Sequence, residues 1–392
     1  MLFRERNIFR ERMLVNSLLD KIWIVVFGLL LCACTAVENT NKSLISGGHV
    51  AYSPMNKLLF VSNQDGDREI FTVDLDGNNL TQLTTNHSDD YDASWSPSGD
   101  KILFTSNREH GNTEVYMMNA DGTEQMNLSQ SKGFDGRARW SPDGLSIVFN
   151  SDRDGADQLY LISLETRRIS PLHVDGVFSS AEAVWSPDGQ WIAFQGFNQF
   201  AKSDIWLTKA DGNHSRQLTD DGKSEDGRVS WSPDGRKIAY HSRRDHRYNI
   251  YIYDLTTQKE VQITHLSTSN VEPKWSHDGK QLLFLSARGQ FGRTQLCLMQ
   301  EDGSQQRCLT DERYQITDAN WIDDDQGILH SNWFGTRYAN IYLLDVNSSE
   351  LTAISPAKGY QSQAFPRPVV LPNTVASWSR LAALPDGTRR NL

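Results

Sequence analysis

The stretch Trp140-Ser141-Pro142-Asp143-Gly144 decides the fold. It recurs as Trp185 to Gly189 and Trp231 to Gly235, and with one change as Trp95 to Gly99 and Trp275 to Gly279. Trp321 opens a degenerate copy, and Tyr52-Ser53-Pro54, 43 residues before Trp95, reads as the first. Successive tryptophans are spaced by 45, 45, 46, 44 and 46 residues. A fixed period in the forties, with an aromatic and a turn in every unit, marks the blades of a β-propeller.

Each unit reads as four short strands. The first carries the tryptophan. Ser-Pro-Asp-Gly then fills a type I turn, with Pro presetting φ and Gly free to take positive φ. The second strand ends near an aromatic: Phe60, Phe104, Phe149, Phe194, Tyr240 and Phe284, with Leu329 in the last unit. The third strand alternates, as in Glu114-Val115-Tyr116-Met117-Met118. Asp-Gly pairs at Asp76, Asp121, Asp211 and Asp302 predict two-residue hairpins with positive φ at both centres. Third strands number seven, as do first strands when Tyr52 is included, which predicts an all-β, seven-bladed propeller. Six blades plus a stray unit is the alternative. A large aromatic repeated at one register suits the core between neighbouring blades.

Of 392 residues, 38% are hydrophobic and 22% charged, which excludes a polytopic membrane protein. The net charge is −10; the first 33 residues carry five basic and three acidic side chains, so the remainder is at −12. An acidic body argues against nucleic acid as a partner. Ile22 to Ala33 is an apolar run too short to span a bilayer, which needs roughly 20 residues, and it suits the core of a secretory signal. Its end, Leu31-Cys32-Ala33-Cys34, resembles the lipobox of bacterial lipoproteins, which implies lipidation at Cys34 after cleavage. Met13 gives the more typical start for such a signal. Thr35 after the cysteine fits sorting to the outer membrane. The expected organisation is a signal peptide over 1–33, a lipidated tether over 34–47, the propeller over 48–356 and an irregular tail over 357–392. Within that tail, Gln361 to Phe365 offers a strand that helps close the ring.

The unit WSPDG…I.F.S.R.G…IY….DG….LT resembles the propeller repeats of the TolB-like family of bacterial periplasmic proteins, over about residues 48–356. The resemblance implies a periplasmic location and a scaffold for protein partners in the envelope. The chain departs from TolB proper, which carries a separate α/β domain before a propeller that is usually six-bladed. Polygalacturonate lyases with related propellers use a histidine-rich metal site, and this sequence offers no residues that map onto it. Propellers of this kind also precede α/β-hydrolase domains, but no GxSxG elbow is present.

Among residues able to carry chemistry, Cys297 and Cys308 flank Asp302-Gly303. Pairing Glu301 with Ser304 and counting outward sets the two cysteines opposite each other, which predicts a structural disulfide. The residue three before each tryptophan, or before Tyr52, is ionisable in every unit: His49, Asp92, Arg137, Glu182, Arg228, Glu272 and Asp318. In a closed ring these are neighbours around the channel, as partly solvated ion pairs or as a polar mouth for a ligand or partner segment. The arc Glu272–Asp318–His49–Asp92 is acidic. No HxH or HExxH spacing occurs, and Asp74-Leu75-Asp76-Gly77 reads as a hairpin turn, so no metal, cofactor or catalytic set is expected. The expected function is therefore a lipid-anchored envelope propeller that binds protein partners. The alternative is an enzyme or binding protein acting on a polysaccharide at the channel mouth. The cysteine pairing has a direct check: full reduction should raise the intact mass of the purified protein by two hydrogen atoms, and an unchanged mass removes the disulfide.

Overall fold

The computed structural model describes residues 57–109, 111–220, 224–244, 246–265, 267–322, 327–333, 339–354 and 361–368. Seven four-stranded antiparallel sheets follow one another along the chain. Six have innermost strands that end on the repeated tryptophan: Asp90–Trp95, Asp135–Trp140, Ser179–Trp185, Asp226–Trp231, Asn270–Trp275 and Gln315–Trp321. We number these blades 2 to 7. Blade 1 consists of Lys57–Ser62, Glu69–Asp74 and Thr81–Gln82, and its innermost strand is Gln361–Pro366 from the other end of the chain. The propeller therefore continues past the expected boundary at residue 356, and the strand that Gln361 to Phe365 offered in the sequence is the one that closes the ring. Tyr52 and the rest of the presumed first innermost strand lie outside the described residues, as do Cys34, the apolar run and the tether.

Each blade packs on the next, and blade 7 packs on blade 1. A hydrophobic cluster fills every seam. Leu59 and Ile70 of blade 1 meet Trp95 and Phe104 of blade 2. Ile322, Ile341 and Ile354 of blade 7 meet Leu58, Phe60, Phe71 and Ala364 of blade 1. The tryptophans are core residues, as the repeat predicts: Trp95, Trp185, Trp231, Trp275 and Trp321 are all under 9% exposed. Four also tie seams together through the indole N–H, which donates to a backbone carbonyl one blade back. These bonds are Trp140 to Ser94, Trp185 to Arg139, Trp231 to Val184 and Trp321 to Lys274, at 3.1–3.4 Å. Truncating a buried indole of this kind costs about 3–5 kcal/mol.

The Ser-Pro-Asp-Gly turns form as expected. In blade 3 the Gly144 N–H donates to the Ser141 carbonyl at 2.9 Å, and Gly144 takes φ +70°. The Ser141 hydroxyl bridges Asp143 and the Ser146 N–H, locking the turn. The Asp-Gly hairpins differ from expectation. In blade 6 the Gln300 carbonyl accepts from the Gly303 N–H, and the Ser304 carbonyl accepts from the Gln300 N–H. The loop therefore holds three residues, with positive φ at Gly303 but not at Asp302. A second positive φ, at Gln305, inserts a bulge that restores the register. Cys297 and Cys308 consequently still face each other, and they form a disulfide.

The closing strand gives the fold its test. A chain ending at Ile354 leaves the Lys57–Ser62 edge unpaired and the Leu58–Phe60 seam uncovered. Its thermal midpoint should fall by at least about 10 °C or its unfolding lose cooperativity, as read by calorimetry. An unchanged midpoint would show that Gln361–Pro366 does not close the ring.

Candidate functional site

The innermost strands share an irregularity that aims side chains inward. In blades 2 to 6 the ladder to the second strand breaks just before the tryptophan, for example between Tyr91 and Ser94. The residue in that break has a left-handed backbone although it is not glycine: Asp92, Arg137, Glu182, Arg228 and Glu272 have φ between 51° and 55°. Gln363, in the closing strand, does the same at φ +55°. In blade 7 the break falls one residue earlier, between Ile316 and Asp318. Such a backbone costs roughly 1 kcal/mol or more per residue. Its repetition marks it as part of the scaffold. A bulge re-aims the side chain it carries.

These side chains line one central cavity of about 860 Å³. Asp92, Arg137, Glu182, Arg228, Glu272, Asp318 and Gln363 all face it, one from each blade. Six of the seven residues expected at the rim are thus brought together. The seventh, His49, lies outside the described residues, and Gln363 holds the corresponding place in blade 1. The Gln363 side-chain oxygen accepts from the Asp92 N–H at 2.8 Å.

Charges in the cavity are matched locally. Arg228 reaches Glu182 at 3.3 Å and Glu272 at 3.7 Å, on either side of it. Arg137 reaches Asp157 at 3.7 Å. A second set of cations was not singled out in the sequence. Arg139 and Lys274 stand one residue before their tryptophans, where other blades have Ser94, Val184, Ser230 and Asn320. Arg139 pairs with Asp92 at 3.1 Å, and Lys274 with Asp318 at 3.2 Å. The acidic arc is therefore interrupted by the Gln363 amide and countered by both cations. The signal that would have found them is the same non-uniformity that identified the rim, two positions further on. Burial pushes the Glu272 and Asp157 carboxyls upward, and the adjoining arginines oppose that shift. Partly exposed pairs such as these contribute about 0–1 kcal/mol each. They hold side chains in place more than they hold the fold.

Behind the rim, the His241 Nδ1 accepts from the Glu272 N–H at 3.4 Å, and its ring meets Tyr248 edge-on. Burial, reinforced by Arg228, drives its pKa down to about 3. It is a neutral acceptor that supports the bulge.

The mouth has a second feature. Loops between second and third strands, and loops leading into innermost strands, emerge on the same end of every blade because the strands alternate in direction. Phe134 and Phe178 precede innermost strands, while Phe200 and Phe291 sit in loops between second and third strands. They are 51%, 58%, 76% and 96% exposed. Among the described residues these are the exposed phenylalanines, and all four share one face. Phe134 also lines the cavity, so the channel opens on this face.

Residues 109–230 and 184–374 match the family model described as the TolB beta propeller domain. An uncharacterised protein of Agrobacterium fabrum, Atu1656, is 34% identical over 135 residues, covering 33% of this chain and 43% of that protein. The uncharacterised peptidase YuxL of Bacillus subtilis is 37% identical over 81 residues, covering 21% of this chain and 12% of its own length. The chain thus spans less than half the length of either relative. Among solved structures, an oligogalacturonate lyase from Vibrio parahaemolyticus superposes with a TM-score of 0.60 at 17% identity, covering 75% of this chain and 88% of the lyase. A puromycin-hydrolysing peptidase from Mycobacterium tuberculosis gives 0.64 at 13% identity, covering 78% of this chain and 52% of the peptidase. At these identities both show the fold alone.

His241 yields a pH test. Its folded pKa is depressed, so its contribution to stability is complete above about pH 6.5, the ordinary histidine value, and is lost as pH falls toward the folded value. Gln195 occupies the equivalent place in blade 4. His241→Gln should therefore fold, and should flatten the fall in thermal midpoint between neutral pH and about pH 4.5. Parallel profiles for the two proteins would show that His241 is not held neutral.

Proposed function

The chain belongs to the TolB beta propeller domain family, and we propose that it is a lipid-anchored scaffold of the bacterial cell envelope that binds a protein partner on its channel-mouth face. The observation that carries this reading is the placement of Phe134, Phe178, Phe200 and Phe291 on that one face. Exposed aromatics grouped around a polar cavity provide what a protein interface uses: large apolar contacts, and charged groups to fix orientation. The Trp-Ser-Pro-Asp-Gly turns at the other end of the blades are polar and uniform, apart from Leu145, and offer little to recognise. The Cys297–Cys308 disulfide suits an oxidising compartment, and the signal-like segment ending at Cys34 supplies the route and the anchor. Beneath such an anchor a short tether keeps the propeller near the membrane surface.

A polysaccharide ligand is the rival. Arg137, Arg139, Arg228 and Lys274 face the cavity and suit an acidic sugar polymer. Asp92, Asp157, Glu182, Glu272 and Asp318 line the same cavity, so its carboxylates outnumber these four cations and a polyanion meets net repulsion, which disfavours the rival. The experiment is site-specific photocrosslinking in intact cells from positions 178 and 200, with position 145 as the opposite-face control. Crosslinks to a defined envelope protein should appear from the first two positions only. Replacing all four phenylalanines with serine, in a protein that retains its circular dichroism, should reduce them about tenfold or more. Equal crosslinking from position 145, or full retention in the serine variant, would overturn the proposal.

A further inference from the structure

We propose that Asp65, Asp67 and Glu69 form a binding site for a divalent cation of the calcium class, in the first blade and apart from the channel. Asp65 and Asp67 lie in the turn between Lys57–Ser62 and Glu69–Asp74, and Glu69 opens the second of these strands, so the turn folds all three carboxylates together. One carboxylate oxygen from each lies within 4.8 Å of the others. Glu69 is fully buried, and neither of its oxygens closes a hydrogen bond, although the Thr84 hydroxyl lies alongside. Asp67 contributes a third buried oxygen without a partner. Asp90, fully buried on the neighbouring blade, contributes a fourth. Buried anionic oxygens left in this state are costly unless a proton or a cation joins them.

Blade 2 shows how the same position is satisfied without a metal. There Glu114 stands where blade 1 has Glu69. Its oxygens accept from the Asn112 side-chain amide at 3.0 Å, the Ser129 hydroxyl at 2.6 Å and the Ser131 N–H at 3.2 Å. At the Asn112 position blade 1 has Asp67. An amide donor has been exchanged for a second anion, with Asp65 added beside it. The nearby cations do not compensate. Arg68 points away to Asp89 at 2.9 Å and over the Tyr91 ring. Arg108 takes the other oxygen of Asp90 at 2.6 Å. The Gln82 amide donates to Asp65 at 2.6 Å, leaving its second oxygen for a ligand. All donors are oxygens, which selects a hard cation, and carboxylates of unequal reach suit the irregular shell of calcium better than the strict octahedron of magnesium. Exposure falls from Asp65 through Asp67 to Glu69, giving the ion a path inward.

The test is thermal unfolding of the wild-type protein and of Asp67→Asn, which restores the blade 2 arrangement, in millimolar calcium, in magnesium and in chelator. Calcium well above its dissociation constant should raise the wild-type midpoint by about 5 °C over chelator, and magnesium by less. Asp67→Asn should show no calcium shift and should unfold in chelator at or above the wild-type midpoint. Calorimetric titration should find one calcium site in the wild type and about tenfold weaker binding in Asp65→Asn, a change at an exposed position. A wild-type midpoint identical in calcium and chelator would mean that a shared proton, not a metal, joins Glu69 to Asp90. A full calcium shift in Asp67→Asn would place the ion elsewhere. Either result overturns the proposal.

Discussion

A propeller blade is a sheet with two apolar faces, and neither can be left to water. Everything else in this structure depends on that constraint. Six seams can form between neighbours in sequence, but the seventh requires the two ends of the repeat array to meet. The contact of Ile322, Ile341 and Ile354 with Leu58, Phe60 and Phe71 is that meeting, and Gln361–Pro366 fastens it by pairing with Lys57–Ser62. The fastening extends to side chains. Gln363 accepts from Asp92, and Arg367 donates to the Gly99 carbonyl at 2.8 Å and lies over the Trp95 ring. Closing a loop of some three hundred residues costs only a few kcal/mol of chain entropy, since the cost grows with the logarithm of length. One well-packed seam outweighs it.

The same constraint explains what could be read from the sequence. A seam makes one demand at one register, so the tryptophans recur and the repeat stands out. The closing strand was harder to see because it meets the demand differently. Pro366 stands where the other blades have tryptophan, and Phe365 and Arg367 flank it. Its quieter signal is Ala364, matching Ala93, Ala138, Ala183 and Ala319 at the position two before the tryptophan, which is buried in the seam. The rim residues were legible for the opposite reason. Their position carries no packing demand, so it varies from blade to blade. Arg139 and Lys274 vary in the same way but share their position with small and apolar residues, which hid them. The hairpins misled because Asp-Gly is compatible with two loops. The bulge at Gln305 that decides between them has no strong sequence preference of its own.

Backbone and side chain have thus been assigned different tasks along each innermost strand. The tryptophan and alanine serve the seam and are nearly fixed. The residue in the bulge is held in a strained left-handed backbone by the strands around it, and its identity is free. Asp92, Arg137, Glu182, Arg228, Glu272 and Gln363 share one backbone conformation within a few degrees, yet they differ in charge and shape. A ring of equivalent sockets with exchangeable side chains lets a recognition surface change without disturbing the fold. The aromatics on the adjoining loops extend the same logic outward, since loops at that end bear no part of the seam packing.

The two ends of the blades consequently differ in kind. At the Trp-Ser-Pro-Asp-Gly end, the turn is saturated by its own hydrogen bonds: in blade 4 the Ser186 hydroxyl donates to Asp188, the Gln190 N–H donates to the same carboxylate, and the Trp191 N–H donates back to the Ser186 hydroxyl oxygen. Little is left over to engage a partner. At the mouth, the loops differ in length and sequence, the rim charges are paired only across partly solvated gaps, and phenylalanines stand in solvent. A surface whose polar groups are already satisfied gains little by binding. One with exposed rings around loosely paired charges gains on both counts, because burying the rings releases water while the surrounding charges can exchange partners at small cost. That asymmetry, more than any single residue, is what the proposal of a protein partner at the mouth rests on.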